Sequence, residues 1–131
     1  MVSEYETGAH MSTTTQQLGA DKWLEYFDSI ASSIDGMLVT IEVMSEQLGD
    51  QVDVERLPLQ AISYDPRDNM VEVSVGGRGV RYPILLRHFI SSPQTVSVEE
   101  SGPLSPRAIL VTDESGVRTL IRLFEPPALE G

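Results

Sequence analysis

The sequence contains no cysteine, and this absence removes several classes of chemistry at once. Disulfide bonds, thiol nucleophiles, redox-sensing thiols and zinc sites built from thiolates all require cysteine. The two histidines, His10 and His88, do not form a His-x-x-x-His or His-x-Glu spacing that would place two metal ligands on one element. We therefore expect neither a metal site nor a bound cofactor.

Long apolar runs are also missing from the sequence. No run approaches the roughly 20 residues that a helix needs to cross a bilayer. The first residues have neither the basic start nor the apolar segment of a secretory signal. We expect a protein without a membrane span and with a cytoplasmic location.

Positive charge is scarce and unevenly placed. The net charge is −11, and residues 1–55 contain eleven acidic residues against a single lysine. The main basic concentration consists of Arg78, Arg81 and Arg87, with His88 beside them. Proteins that bind nucleic acids present a strong basic face to the phosphates, so the overall acidity argues against that function. A small nucleic-acid-binding barrel stays an alternative only because of these arginines.

The clearest local signal is a β-hairpin between residues 69 and 90. Met70–Val75 alternates apolar and polar residues with a period of two, as a half-buried strand does. Residues 76–79 contain three glycines that can supply the positive φ angles of a tight turn, and residues 80–90 form the second strand. The glycines lack the Lys-Ser/Thr ending and the following helix of a phosphate-binding loop. They therefore predict turn geometry and no phosphate site.

A helix is predicted between residues 22 and 34, where large apolar residues recur at spacings of four, three and four. These residues are Trp23, Phe27, Ile30 and Ile34. Gly36 follows where a left-handed residue commonly ends a helix. We expect this apolar stripe to lie on a sheet, with Trp23 as a core anchor.

The remaining chain has strand-forming runs separated by turn sequences. They cover residues 37–44, 52–63, 95–99, 107–112 and 117–124. The pattern predicts an α+β fold, in which one N-terminal amphipathic helix packs on an antiparallel sheet of six or seven strands in meander order, curled or closed into a small barrel. Pro58 is expected to lie in an edge strand or at a bulge, and Pro83 in an edge strand or at a bend.

The domain organisation follows from the same patterns. Residues 18–125 are expected to form a single domain. Residues 1–17 are polar and without a period, which predicts a flexible arm, and residues 126–131 are expected to be a flexible tail.

Four segments give the chain a resemblance to a known family. They are the Trp23-x-x-x-Phe27 helix, a Gly-x-Leu-Val-Thr-x-Glu-Val strand at 36–43, a Leu-Pro-Leu-x-x-Ile-Ser segment at 57–63, and a closing strand at 120–124. With them the chain resembles a group of short, uncharacterised bacterial proteins that form a domain-of-unknown-function family. The resemblance implies a bacterial source and a stand-alone domain, and it implies no activity or catalytic residue.

Two classes of function are open at this point. The first is a small non-catalytic binding or assembly module that uses sheet edges or the hairpin, with Arg78, Arg81 and Arg87 as binding residues. Its partner would be another protein or a second copy, because the basic hairpin of one copy can dock on the acidic N-terminal part of another. The second class is a hydrolase-type enzyme with His88 as general base. A lone histidine in a strand, however, more often packs or forms a structural hydrogen bond.

Overall fold

The computed structural model describes residues 13–76 and 86–126. The described residues form eight β-strands, two short α-helices and one 3₁₀ turn. In chain order these elements are β1 (Thr14–Leu18), the 3₁₀ turn (Ala20–Lys22), α1 (Trp23–Ser29), α2 (Ala31–Ile34), β2 (Leu38–Ser45), β3 (Gly49–Asp65), β4 (Met70–Val75), β5 (Leu86–Ser91), β6 (Pro93–Gly102), β7 (Ser105–Asp113) and β8 (Arg118–Phe124).

The strands form one antiparallel sheet in the order β1-β6-β7-β8-β2-β3-β4-β5. The predicted combination of an antiparallel sheet with a short helical segment is therefore confirmed. The predicted six or seven strands in one meander are wrong, because the described residues contain eight strands in two meanders, β2 to β5 and β6 to β8. The predicted barrel closure is also wrong, since β1 and β5 remain the end strands of an open sheet.

The two meanders are joined by the pairing of β2 with β8. Ile41 lies opposite Ile121, and Ile121 lies opposite Ile109 on β7. All three side chains are fully buried, and each such burial stabilises the fold by about 1.5 to 3 kcal/mol. This pairing connects residues distant in sequence, so local patterns could not distinguish it from a simple meander.

β3 changes its partner halfway along its length. Its first half pairs with β2 as far as Pro58, and its second half pairs with β4 from Leu59 onward. Pro58 lies at the change of partner, and its carbonyl accepts a hydrogen bond of 2.7 Å from the Gly76 amide. Arg56 has a φ of 54° beside a shift in register. Of the edge or bulge expected at Pro58, the structure thus shows a bulge inside the sheet just before it. Pro83 lies outside the described residues.

The sheet folds over on itself. Ser92 alone separates β5 from β6, although these strands are the eighth and the second in the sheet order. In a flat sheet they would lie roughly 29 Å apart, at about 4.8 Å per strand. Ser92 also joins two turns, because its amide donates to the Asn69 carbonyl at 2.9 Å and its carbonyl accepts from the Glu114 amide at 2.9 Å.

The helical segment covers the core as predicted but is not one helix. The four residues of its apolar stripe are each at most 3% exposed. α1 ends at Ser29 and α2 begins at Ala31, with Ile30 in a non-ideal conformation between them (φ −89°, ψ 0°). Gly36 has a φ of 85°, which confirms the left-handed residue after the helix. No helix in the described part of the chain is long and apolar enough to cross a bilayer.

β1 is a strand that the sequence analysis does not predict. Residues 14–17, assigned to a flexible arm, pair with β6 and are exposed. Because they bury no alternating apolar face, no local pattern reveals the strand; Leu18, which packs against the core, and the backbone pairing hold it. Residues 1–12 and 127–131 lie outside the described residues, so the arm and tail there stay predictions.

Candidate functional site

The predicted strand pair of the hairpin is present as β4 and β5. It runs from Met70 opposite Ser91 to Val75 opposite Leu86. β5 ends the sheet, so its second edge has no partner strand among the described residues. Such an edge carries backbone amides and carbonyls that can pair with another strand. The predicted second strand at residues 80–90 is observed only from Leu86, because residues 77–85, with most of the glycine turn, lie outside the described residues.

β5 approaches the first half of β3 without pairing to it. Nδ1 of His88 lies 3.5 Å from Oδ2 of Asp53. Val52 and Val54 pair with consecutive residues of β2, so Asp53 between them is the extra residue of a β-bulge. We call this place, formed by residues 49–55 of β3 and by β5, the seam.

His88 is mostly covered at the seam, with 18% of its side chain exposed. Burial lowers the pKa of His88 from its ordinary value of 6.5. The nearby Asp53 carboxylate raises the pKa, but by less than burial lowers it. His88 is therefore neutral near pH 7. Its contact with Asp53 joins a neutral imidazole to a carboxylate.

A neutral histidine beside a carboxylate is also how hydrolases hold a general base. In such sites the nucleophile and the orienting group lie about 2.6 to 3.2 Å from the imidazole. The Asp53 contact is longer, at 3.5 Å, and within the described ranges no hydroxyl is hydrogen-bonded to His88. The structure thus gives His88 an orienting carboxylate without an activated nucleophile.

Of the three predicted binding arginines, only Arg87 belongs to the described residues; Arg78 and Arg81 lie outside them. Nε of Arg87 lies 3.3 Å from Oε2 of Glu72, and the Ser74 hydroxyl donates to the same oxygen at 3.1 Å. The Arg87 side chain is 56% exposed. Exposed pairs of this kind contribute about 0 to 1 kcal/mol, so Arg87 can exchange Glu72 for another carboxylate at little cost.

Exposed apolar and acidic side chains border the seam. Six large hydrophobic side chains are exposed in the described part of the chain, and four of them lie on β5, on the first half of β3 or in the turn before it. These four are Leu48 (71% exposed), Val52 (54%), Leu86 (39%) and Phe89 (52%). Asp50, Asp53 and Glu55 are exposed on the same half of β3. Clustered exposed apolar side chains with a polar rim are typical of interaction surfaces.

The seam offers no cluster of metal ligands. Among residues 13–76 and 86–126, no group of three histidine, aspartate or glutamate side chains could hold a metal ion. The seam instead combines a strand edge without a partner among the described residues, exposed apolar side chains and charges of both signs.

Sequence reasoning located Arg87 and His88 but missed Asp53 and Phe89. A period of two places Phe89 on the same face of β5 as Arg87, so its exposure could have been found from the alternation. The approach of Asp53 to His88 depends on the bulge and on the folding over of the sheet. No sequence signal reveals it.

A family model described as a family of unknown function, DUF5335, matches residues 14–131 of the chain. The chain belongs to DUF5335. This confirms the predicted resemblance to a domain-of-unknown-function family. An uncharacterized protein of Aquifex aeolicus (strain VF5) is 32% identical over 110 residues, which cover 83% of this chain and 91% of that protein. No solved structure matches this DUF5335 chain.

Proposed function

We propose that this protein is a small non-catalytic assembly module that associates with a second copy of itself through the seam. The observation that supports this most is β5, an end strand whose second edge has no partner among the described residues and which carries two of the six large hydrophobic side chains exposed there. Two more of the six, Leu48 and Val52, belong to the turn before β3 and to the first half of β3. An exposed strand edge with apolar neighbours is a liability for a monomer, and pairing with another chain removes it.

The backbone of β5 can supply the directional part of the interface. Two copies related by a two-fold axis can pair β5 with β5 in antiparallel fashion, which continues the sheet from one copy into the other. Residues opposite each other in such a pair share a face, so Phe89 of one copy would lie near Phe89 or Arg87 of the other. Aromatic pairs of this kind contribute roughly 0.2 to 1 kcal/mol each.

Charges of both signs at the seam support a second copy as the partner. Asp50, Asp53 and Glu55 lie on one strand of the seam and Arg87 lies on the other. A two-fold rotation can set the acidic strand of one copy against Arg87 of the other, because such an interface uses the same patch twice. The sequence adds to this asymmetry: eleven acids and one lysine give residues 1–55 a charge of −10.

Light scattering tests the proposal directly. We expect a dimer whose population falls between 0.1 M and 1 M salt, as the screening length falls from about 10 Å to about 3 Å. Phe89→Ser should shift the mass toward the monomer. The control is Leu24→Ser, at another exposed leucine (44%) that lies on α1 and not at the seam, and it should leave the mass unchanged.

Two results would contradict the proposal. The first is a monomeric mass at every protein and salt concentration. The second is a dimer that persists in Phe89→Ser, which would place the interface elsewhere, for example along the free edge of β1.

The two alternative functions have less support. Hydrolysis with His88 as general base would need a nucleophile, and the described residues provide none that is bonded to it. Nucleic-acid binding would need a basic surface, whereas Arg87 lies beside Glu72 and the first half of β3 carries exposed acids.

A further inference from the structure

A cavity of about 180 Å³ lies between α2, the turn that joins β6 to β7, and the end of β8. Its polar lining consists of Ser33, Ser101, Ser105, Arg107 and Glu125. Met37 and Pro106 add an apolar wall. The cavity shares no residue with the seam, so it is a separate feature of the molecule.

Two opposite charges line this cavity without pairing to each other. The ion pairs of the described residues join Arg87 to Glu72, His88 to Asp53 and Arg122 to Glu42, so neither Arg107 nor Glu125 has a partner among them. Arg107 is partly buried. A ligand carboxylate at Arg107 would supply the counter-charge that the described residues do not provide.

The serine hydroxyls add acceptors on the helix side of the cavity and adaptable groups on the turn side. The Ser33 hydroxyl donates to the Leu104 and Ile30 carbonyls, at 2.8 and 3.0 Å. Its one hydrogen is therefore in use, and its oxygen can still accept a hydrogen bond. The Ser101 and Ser105 hydroxyls donate to carbonyls at 3.5 and 3.4 Å. Bonds of that length are weak, so both hydroxyls can turn toward a ligand.

We propose that the cavity binds a small zwitterion, a free α-amino acid with a short apolar side chain. The carboxylate would pair with Arg107, and the ammonium group would pair with Glu125 and donate to the Ser33 oxygen. The short side chain would contact Met37 and Pro106. A ligand with only one of the two charges would leave either Arg107 or Glu125 without a counter-charge.

The size of the cavity supports the same class of ligand. Sites for drug-sized molecules usually measure roughly 300 to 1,000 Å³. At about 180 Å³ this cavity fits a molecule of the size of alanine or valine.

The experiment is a titration of the full chain followed by amide chemical shifts. L-Alanine, acetate and ethylamine are added separately, the last two carrying one charge each. We expect saturable shifts of the Ser101, Ser105 and Arg107 amides, with L-alanine at least tenfold tighter than acetate or ethylamine. Arg107→Gln should abolish these shifts, and Glu125→Gln, at an exposed position, should weaken L-alanine binding at least tenfold.

The matched control is Arg118→Gln, which removes an exposed arginine of β8 that does not line the cavity. It should bind L-alanine as the unaltered chain does. Absence of saturable shifts, equal affinity for acetate and L-alanine, or unchanged binding in Glu125→Gln would overturn the proposal. If Arg107→Gln fails to fold, L-alanine binding by Glu125→Gln still tests the proposal. None of these results depends on whether the chain dimerises through the seam.

Discussion

The helical segment and the seam border the same folded-over sheet and differ in how they cover it. The Trp23 ring meets the Tyr64 ring edge-on at a centroid distance of 5.3 Å, and its Nε1 donates to the Leu18 carbonyl at 3.2 Å. The Tyr26 hydroxyl donates to Glu100 at 2.6 Å. At the seam, by contrast, the polar contact between β5 and β3 is the 3.5 Å approach of His88 to Asp53.

This difference separates a part of the molecule that is closely packed on the core from a part that is less covered and that we propose as the contact surface. The helical segment buries large side chains and pairs their polar atoms, so its loss would expose the core. The seam leaves a strand edge unpaired and apolar side chains in water. Binding surfaces are generally drawn from the less stabilised parts of a protein.

The largest effect is expected from Trp23→Ala on the helical side. Trp23 is 3% exposed and contacts Tyr64, and removing a large core aromatic costs about 3 to 5 kcal/mol. Urea unfolding should show a loss of this size. The neighbouring control is Leu24→Ala, at a side chain that is 44% exposed, where the change should stay within about 0.5 kcal/mol. Equal effects of the two substitutions would show that α1 does not anchor the fold.

A smaller loss is expected from Tyr26→Phe, which removes only the hydroxyl that bonds to Glu100. Burial and the neighbouring Glu100 raise the pKa of Tyr26 far above its ordinary value, so the phenol stays protonated and donates. Hydrogen bonds to charged groups contribute about 1.5 to 3 kcal/mol, and partial exposure of Glu100 should bring the loss to about 1 to 2 kcal/mol. A double-mutant cycle with Glu100→Gln measures the coupling free energy between the two side chains. A coupling free energy of zero would show that this hydrogen bond does not stabilise the fold.

At the seam, His88 makes stability depend on pH. Its folded pKa lies below 6.5 because burial disfavours the charged imidazole. Below pH 6.5 the unfolded chain therefore binds more protons than the folded chain, and stability falls as the pH falls. Between pH 7 and pH 5, the urea midpoint of unfolding should fall by more in the unaltered chain than in His88→Gln. A relative gain over this interval would mean that the attraction of Asp53 outweighs burial.

The smallest effect on the monomer is expected from Arg87→Gln. The Arg87–Glu72 pair is exposed, and its removal should change the free energy of unfolding by less than about 1 kcal/mol. The same substitution should weaken the dimer and reduce its salt dependence. Arg122→Gln is the matched control. Nε of Arg122, on β8, lies 3.8 Å from Oε1 of Glu42, on β2, and this pair is away from β5. If both variants dimerise like the unaltered chain, Arg87 has no role in the interface.

The sequence predicted those parts of the fold that have a local period. The stripe of Trp23, Phe27, Ile30 and Ile34 is buried as expected, and the strands β2 to β8 lie close to the predicted runs. β1 escaped prediction because its residues are polar and exposed. The pairing of β2 with β8 escaped it because both strands had several possible partners, and only tertiary packing decides among them.

The same limit applies to the seam. The alternation of β5 gives the faces of Arg87, His88 and Phe89, but the bulge at Asp53 and the fold-over of the sheet bring the first half of β3 to β5. The contact that results joins Asp53 and His88, which are 35 positions apart in sequence. The distribution of charge along the sequence therefore indicated the region of Arg87 and His88. The contact of His88 with Asp53 is visible only in the three-dimensional structure.

The most direct measurement of the central claim is hydrogen exchange of the β5 amides as a function of protein concentration. Alternate amides of β5 point away from β4 and have no ladder partner among residues 13–76 and 86–126. If β5 pairs with β5 of a second copy, these amides should become protected as the concentration rises, and Phe89→Ser should abolish that protection. Exchange of these amides that is fast and independent of concentration would contradict the assignment of the β5 edge as the contact surface.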